Sequence, residues 1–119
     1  MEKIFFVEIG TGIDQHGQDI TVAAIRAVED AIRCNAMPGL KSVLPENDFN
    51  RMRIHVRLAL PCDKDKLDVE RVRRALPYGQ VTMEVIDGGM VTRCYTVLPE
   101  KGDKNDLVYV VNAAVEVGY

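Results

Sequence analysis

The clearest pattern in the chain is the run from Arg51 to Leu60, where Met52, Ile54, Val56, Leu58 and Leu60 alternate with Arg51, Arg53, His55, Arg57 and Ala59. Successive residues of a strand point to opposite faces, so this period of two predicts a strand with one core face and one cationic face. Lys3 to Ile9 reads as another strand, with Phe5, Val7 and Ile9 on one side and Ile4, Phe6 and Glu8 on the other; apolar residues on both sides suggest a central position. Leu107 to Val117 is also apolar on both faces. Gln80 to Ile86 alternates, Gly88-Gly89 interrupts, and Met90 to Val97 resumes, which predicts a hairpin or a bulge. Leu40 to Leu44 reads as a short strand before a Pro45 to Asn50 loop.

Two stretches follow the helical period instead. Asp19 is a good N-cap for a helix reaching about Asn35, with Arg26, Glu29 and Arg33 on a polar stripe and Ala24, Val28, Ala31 and Ile32 toward the core. Its small Ala23, Ala24, Ala27 and Ala31 permit close approach to a sheet. Asp68 can cap a second helix, Val69 to Leu76, which Pro77-Tyr78-Gly79 stops. The order predicts an α+β two-layer sandwich: a β-α-β-β-α-β core with one or two extra C-terminal strands, and helices on one face of a mixed sheet. The other face is then bare, and the last strand has no wet side, so a homo-oligomer is expected.

Composition narrows the classes. A chain of 119 residues predicts one domain over 1–119, and 47% hydrophobic with 28% charged residues excludes disorder and collagen. Fifteen Lys and Arg against 18 Asp and Glu give a net charge of -3, so no nucleic-acid partner is expected. No apolar run suits a membrane span, and the start at Glu2 and Lys3 does not suit a signal peptide. Cys34, Cys62 and Cys94 are an odd set without C-x-x-C spacing, which predicts reduced thiols and a cytoplasmic location. Cys62 has no evident activating base in the sequence and reads as an inert thiol.

Candidate chemistry concentrates in Gly10-Thr11-Gly12-Ile13-Asp14-Gln15-His16-Gly17, read as part of a loop from Gly10 to Gln18. A dinucleotide fingerprint would need glycine at Gln15, and no Gly-Lys-Ser/Thr closes a phosphate loop. Several readings remain open. Asp14 and His16 could offer oxygen and nitrogen to a divalent ion such as Zn or Mn, with His55 or Glu8, from distant chain or another subunit, as a third ligand. The same two residues could form a metal-free acid/base pair. The glycines Gly10, Gly12 and Gly17 could bring backbone N–H groups to an anionic small molecule, with Arg53 or Arg57 neutralising it, although Asp14 and Asp19 oppose an anion there. Alternatively the loop is structural, with Asp14 bonded to its own backbone and His16 packed on the sheet. The cationic row of Arg51, Arg53, His55 and Arg57 reads as an anion collector or as a set of ion pairs. Arg71, Arg73 and Arg74 read as helix surface.

These residues resemble a conserved-hypothetical family of bacterial and plant proteins marked by G-x-G-x-D-x-H-G near the N-terminus. The likeness continues through Gln18-Asp19-Ile20-Thr21, the Ala-rich helix, Leu76-Pro77-Tyr78-Gly79 and Gly88-Gly89; it implies no particular activity. A more local resemblance, covering the first strand, loop and helix start, is to methylerythritol cyclodiphosphate synthase. That likeness implies Asp14 and His16 as metal ligands and a trimer with sites between subunits. The chain lacks the histidine and aspartate segment that supplies that family's next ligand, so cyclodiphosphate synthesis is not expected. The functional expectation is a small-molecule-binding protein, a metal-assisted lyase or hydrolase with its site at Gly10–Asp19 near a subunit interface. The alternative is a non-catalytic homo-oligomeric binding or assembly module in which the loop is structural.

Overall fold

The computed structural model describes residues 1–33 and 35–119; Cys34, and the thiol expected there, lies outside the described residues. Five strands, β1 (Ile4–Asp14), β2 (Arg53–Leu60), β3 (Gln80–Asp87), β4 (Met90–Arg93) and β5 (Leu107–Gly118), form one mixed sheet in the order β1-β5-β2-β3. β5 runs antiparallel to β1 and β2, while β2 and β3 are parallel. Helices α1 (Ile20–Ile32), α2 (Leu40–Val43) and α3 (Val69–Arg73), with four single 3-10 turns, complete the described elements. The core forms between the sheet and α1 and α3, where Ala24, Val28, Val56, Leu58, Val72, Val111 and Val115 are buried. The expected α+β sandwich is the architecture found, and extents of 52 × 25 × 19 Å match two layers drawn out along the strands.

Local expectations fare unevenly. Asp19 caps α1 by accepting from the backbone N–H of Thr21 and Val22, and Asp68 caps α3 through Arg71 N–H. Met52, Ile54, Val56, Leu58 and Leu60 are all buried, as their alternation requires. Three local elements differ. Leu40–Val43 is one helical turn rather than a strand, because it lies just after Pro38-Gly39 with no strand beside it to complete a ladder. α1 and α3 stop earlier than their periodicity, at Ile32 and Arg73.

The Gly88-Gly89 break is neither a hairpin nor a bulge. β3 pairs with one side of β2, and the chain continues in the same direction past the end of β2 to pair as β4 with β5, Met90 opposite Val110. Two glycines permit that crossing. Gly88 N–H donates to Leu60 O at 3.2 Å, and Gly89 adopts φ +67° where a Cβ would stand 2.2 Å from Val110 O.

The largest correction concerns β1, which continues through Gly10, Thr11, Gly12 and Ile13 to Asp14, so the expected loop begins five residues later. Gly10 and Gly12 face α1. A Cβ on Gly10 would stand 2.2 Å from Ala27 O, and one on Gly12 2.1 Å from Ala23 O. These glycines therefore admit helix backbone, with the small alanines Ala23, Ala27 and Ala31 on the facing side. Either glycine changed to alanine forces helix and strand apart. Gly12→Ala is expected to cost roughly 3 kcal/mol, the upper end of overpacking, in denaturant unfolding; a change below roughly 0.5 kcal/mol would show that the contact yields freely.

Candidate functional site

Strand parity sorts the candidate residues before any distance is considered. Tyr109, Val111, Ala113, Val115 and Val117 of β5 belong to the core, so their register partners Asp14, Gly12, Gly10, Glu8 and Phe6 on β1 face the helices. His55 pairs with Glu116, on the opposite face of β5. Asp14 and His55 therefore lie on different sides of the sheet, and the expected set of Asp14, His16 and His55 does not converge within one chain. Among the described residues no group of three His, Cys, Asp or Glu side chains is placed to hold a metal ion.

The turn between β1 and α1 is nevertheless highly ordered by polar contacts. Asp14, buried, accepts from Asp19 N–H at 2.7 Å through Oδ2, while Arg26 donates to Ile13 O at 2.6 Å and approaches Asp14 Oδ1 at 3.4 Å. His16 pairs with a different carboxylate. Its Nδ1 lies 2.6 Å from Asp103 Oδ2, a residue 87 positions later in the chain. Asp103 also accepts from Gly17 N–H at 2.7 Å, Gln18 Nε2 at 3.0 Å and Leu98 N–H at 2.8 Å. Gln18, at φ +50°, completes the junction: its Nε2 donates to Leu107 O at 3.0 Å and its Oε1 accepts from Lys104 N–H at 2.9 Å.

Asp103 is the residue that sequence reasoning missed. It sits in a charged, glycine-containing turn that reads as solvated surface, yet its side chain is fully shielded from solvent. Burial opposes its charge, but the N–H groups of Leu98 and Gly17, the His16 ring and the Gln18 amide outweigh that and hold the carboxyl well below the usual aspartate range. An anion-binding turn was one expectation for this segment. Its backbone donors are instead taken by the chain's own carboxylates: Gly17 by Asp103, Asp19 by Asp14, and Thr21 and Val22 by Asp19. A small recess of about 210 Å³ beside the turn is lined by Gly17, Gln18, Asp19, Asp63, Lys66 and Lys104, and not by His16.

His55 and Arg57 are also engaged within the chain. His55 contacts Thr82 Oγ1 at 2.8 Å and Glu84 at 3.2 Å, and Arg57 donates to Glu84 at 3.0 Å and Glu116 at 3.1 Å. Hydrogen bonds from His55 and Arg57 hold the Glu84 carboxyl low. Arg53 is exposed at the start of β2. Cys62 lies half-buried, and burial pushes its thiol up, the direction of an unreactive cysteine.

The match to known proteins agrees with this sheet and turn arrangement running through nearly all of the chain. The profile of a family described as Conserved hypothetical protein (Lin0512_fam) matches residues 4–117. The chain belongs to the Lin0512 family. This Lin0512 chain is similar to the crystal structure of an FtsZ-like protein of unknown function from Nostoc punctiforme, at 43% identity, over 97% of this chain and 93% of that chain, with a TM-score of 0.86. No curated protein matches it. No helix among the described residues is long and apolar enough to cross a membrane.

The low-lying Asp103 carboxyl gives the Lin0512 chain a defined acid response. A carboxyl held low in the folded state contributes stability that is complete above the ordinary aspartate pKa of about 3.9 and is lost as pH falls through the folded value. Asp103→Asn is expected to lower the melting temperature by several degrees at pH 7 and to flatten its decline between about pH 5 and 2. Parallel acid limbs in wild type and variant would remove Asp103 from that role.

Proposed function

We propose that the chain is a homo-oligomeric assembly module whose glycine-rich turn is structural and whose bare sheet face receives a second copy. The observation that carries this reading is the apolar half of that face. Val7, Ile9 and Ile13 of β1 point away from the helices beside Val110 of β5 and Met90 of β4, and Ile9 is 67% exposed. Single exposed apolar residues are ordinary, whereas a contiguous apolar sheet surface favours contact with another protein.

A second copy is the occupant that the charge pattern supports. An isologous contact sets a patch against itself, so any net charge on it repels. The one charge opposite Val7, the Glu116 carboxylate, is paired with Arg57 at 3.1 Å, and the polar pair of the patch is internally satisfied, with Asn112 Nδ2 donating to Thr11 Oγ1 at 3.0 Å. On the neighbouring β2–β3 half, Arg57 is neutralised by Glu84 and Glu116. Edge pairing is less favoured at the end of β1, where Asp30 accepts Thr11 N–H at 2.9 Å and Arg26 caps Ile13 O. The inward use of Asp14, His16 and Gly17 supports the same reading, because it leaves their polar groups bonded within the fold.

Sedimentation equilibrium tests the proposal. The wild-type chain should weigh a multiple of its 13.3 kDa, and Ile9→Lys should give a monomer with an unchanged circular-dichroism spectrum. As a change of exposed surface, it should shift intrinsic stability by no more than about 0.5 kcal/mol. A monomeric wild type at roughly 100 μM, far above the Kd of a stable assembly, overturns the reading. So does an Ile9→Lys protein that keeps the wild-type mass.

A further inference from the structure

On the helix-covered face, remote from the turn and from the bare sheet surface, lies a cavity of about 340 Å³. It opens between β1, the end of α1 and the segment after α3, and its walls include Phe6, Phe49, Met52, Leu76 and Tyr78. Phe49 and Tyr78 stack at 5.3 Å between ring centroids, and Tyr78 is 57% exposed, which places an aromatic wall partly in solvent.

One group in this apolar setting has no structural partner. Glu8 projects from β1 toward the core side, opposite Val115, and its Oε2 is solvent-excluded with no hydrogen-bond donor among the described residues. A buried acceptor left without a donor is costly, and a hydrophobic side chain at this position would fit the surrounding walls better. Among the described residues Glu8 is also the only charged one lining the cavity, so the local field is negative, and aromatic faces favour cations as well. The geometry points to a binding site for a small primary amine with an apolar or aromatic body, its ammonium group donating to Glu8 and its body lying between Phe6, Met52, Leu76 and the Phe49–Tyr78 pair.

The site goes beyond the assembly reading and does not depend on it, since Glu8 and Ile9 are adjacent on β1 and face opposite sides of the sheet. The probe is 2-phenylethylammonium, titrated into the isotopically labelled full chain by NMR, with 2-phenylethanol and 3-phenylpropanoate as neutral and anionic controls. The ammonium should bind saturably, shift resonances of Phe6, Met52 and Leu76, and bind about tenfold or more tightly than the alcohol, as a charge-assisted hydrogen bond requires. Glu8→Gln should abolish that preference while leaving the weaker binding of the alcohol unchanged. Glu8→Leu, which removes the unpaired acceptor, should melt above wild type and lose the preference too. Equal binding of amine and alcohol to wild type, a preference that survives Glu8→Gln, or no saturable binding of the amine overturns the assignment. Because the readout is ligand binding and not subunit mass, its failure is distinguishable from failure of the assembly reading.

Discussion

Helix α1 can lie on the sheet at this distance only because Gly10 and Gly12 present bare backbone to the backbone of Ala23, Ala27 and Ala31. Much of the molecule follows from that contact. With the helix held so close, β1 extends to Asp14 as a paired strand, and the chain must reverse within five residues to enter α1 at Ile20. So short a reversal leaves backbone donors pointing into a confined space. Three carboxylates, Asp14, Asp19 and Asp103, satisfy them, and Gln18 ties the turn to the start of β5 through Leu107 O. A glycine-rich strand–turn–helix segment thus looks like a ligand cradle in one dimension and acts as a packing joint in three. The same approach explains why α1 also shields the edge of β1, where Asp30 and Arg26 reach the Thr11 N–H and the Ile13 carbonyl.

Elements whose residues obey a single local rule were legible in the sequence. The alternation of Met52 to Leu60, the N-caps Asp19 and Asp68, and the small-residue face of α1 each follow from one strand or one helix, and all three appear as expected. The α+β class followed from their order. What was not legible depends on partners distant in the chain. Nothing near Gly88 says that the strand will step past the end of β2, because the strand it joins begins at Leu107. Leu40–Val43 has the composition of a strand but no neighbour to pair with. The role of Gly10 and Gly12 required knowing that the alanines of α1 fold back onto them.

The site residues divide along the same line. Asp14 and His16 were identifiable as polar groups in a special segment, but the face on which His55 lies is fixed by its register with Glu116, and Asp103 gives no local sign of burial. A D-x-H spacing places two side chains near one another along the chain; it does not aim them at one point. Here the single residue between them carries His16 past the strand end, where the nearest acceptor is Asp103 and not Asp14. Short motif spacing is informative about chemistry only where the backbone conformation between the residues is already known.

Once the turn, the caps and the ion pairs are accounted for, two features of β1 stand apart from an otherwise well-satisfied chain: the exposed Ile9 and the unpaired Glu8. Their adjacency is informative, because a strand sends neighbours to opposite faces. A slip of one residue in β1 would bury Ile9 against the core and release Glu8 to solvent, removing both costs together. The register with β5 and the two glycines under α1 forbid that slip, since it would bring Thr11 and Ile13 beneath the helix backbone where no Cβ fits. The placement of an apolar side chain outside and a carboxyl inside is therefore enforced by the helix contact. A fold that fixes both against the ordinary preference of each is the physical reason for seeking a partner on one face and a ligand on the other.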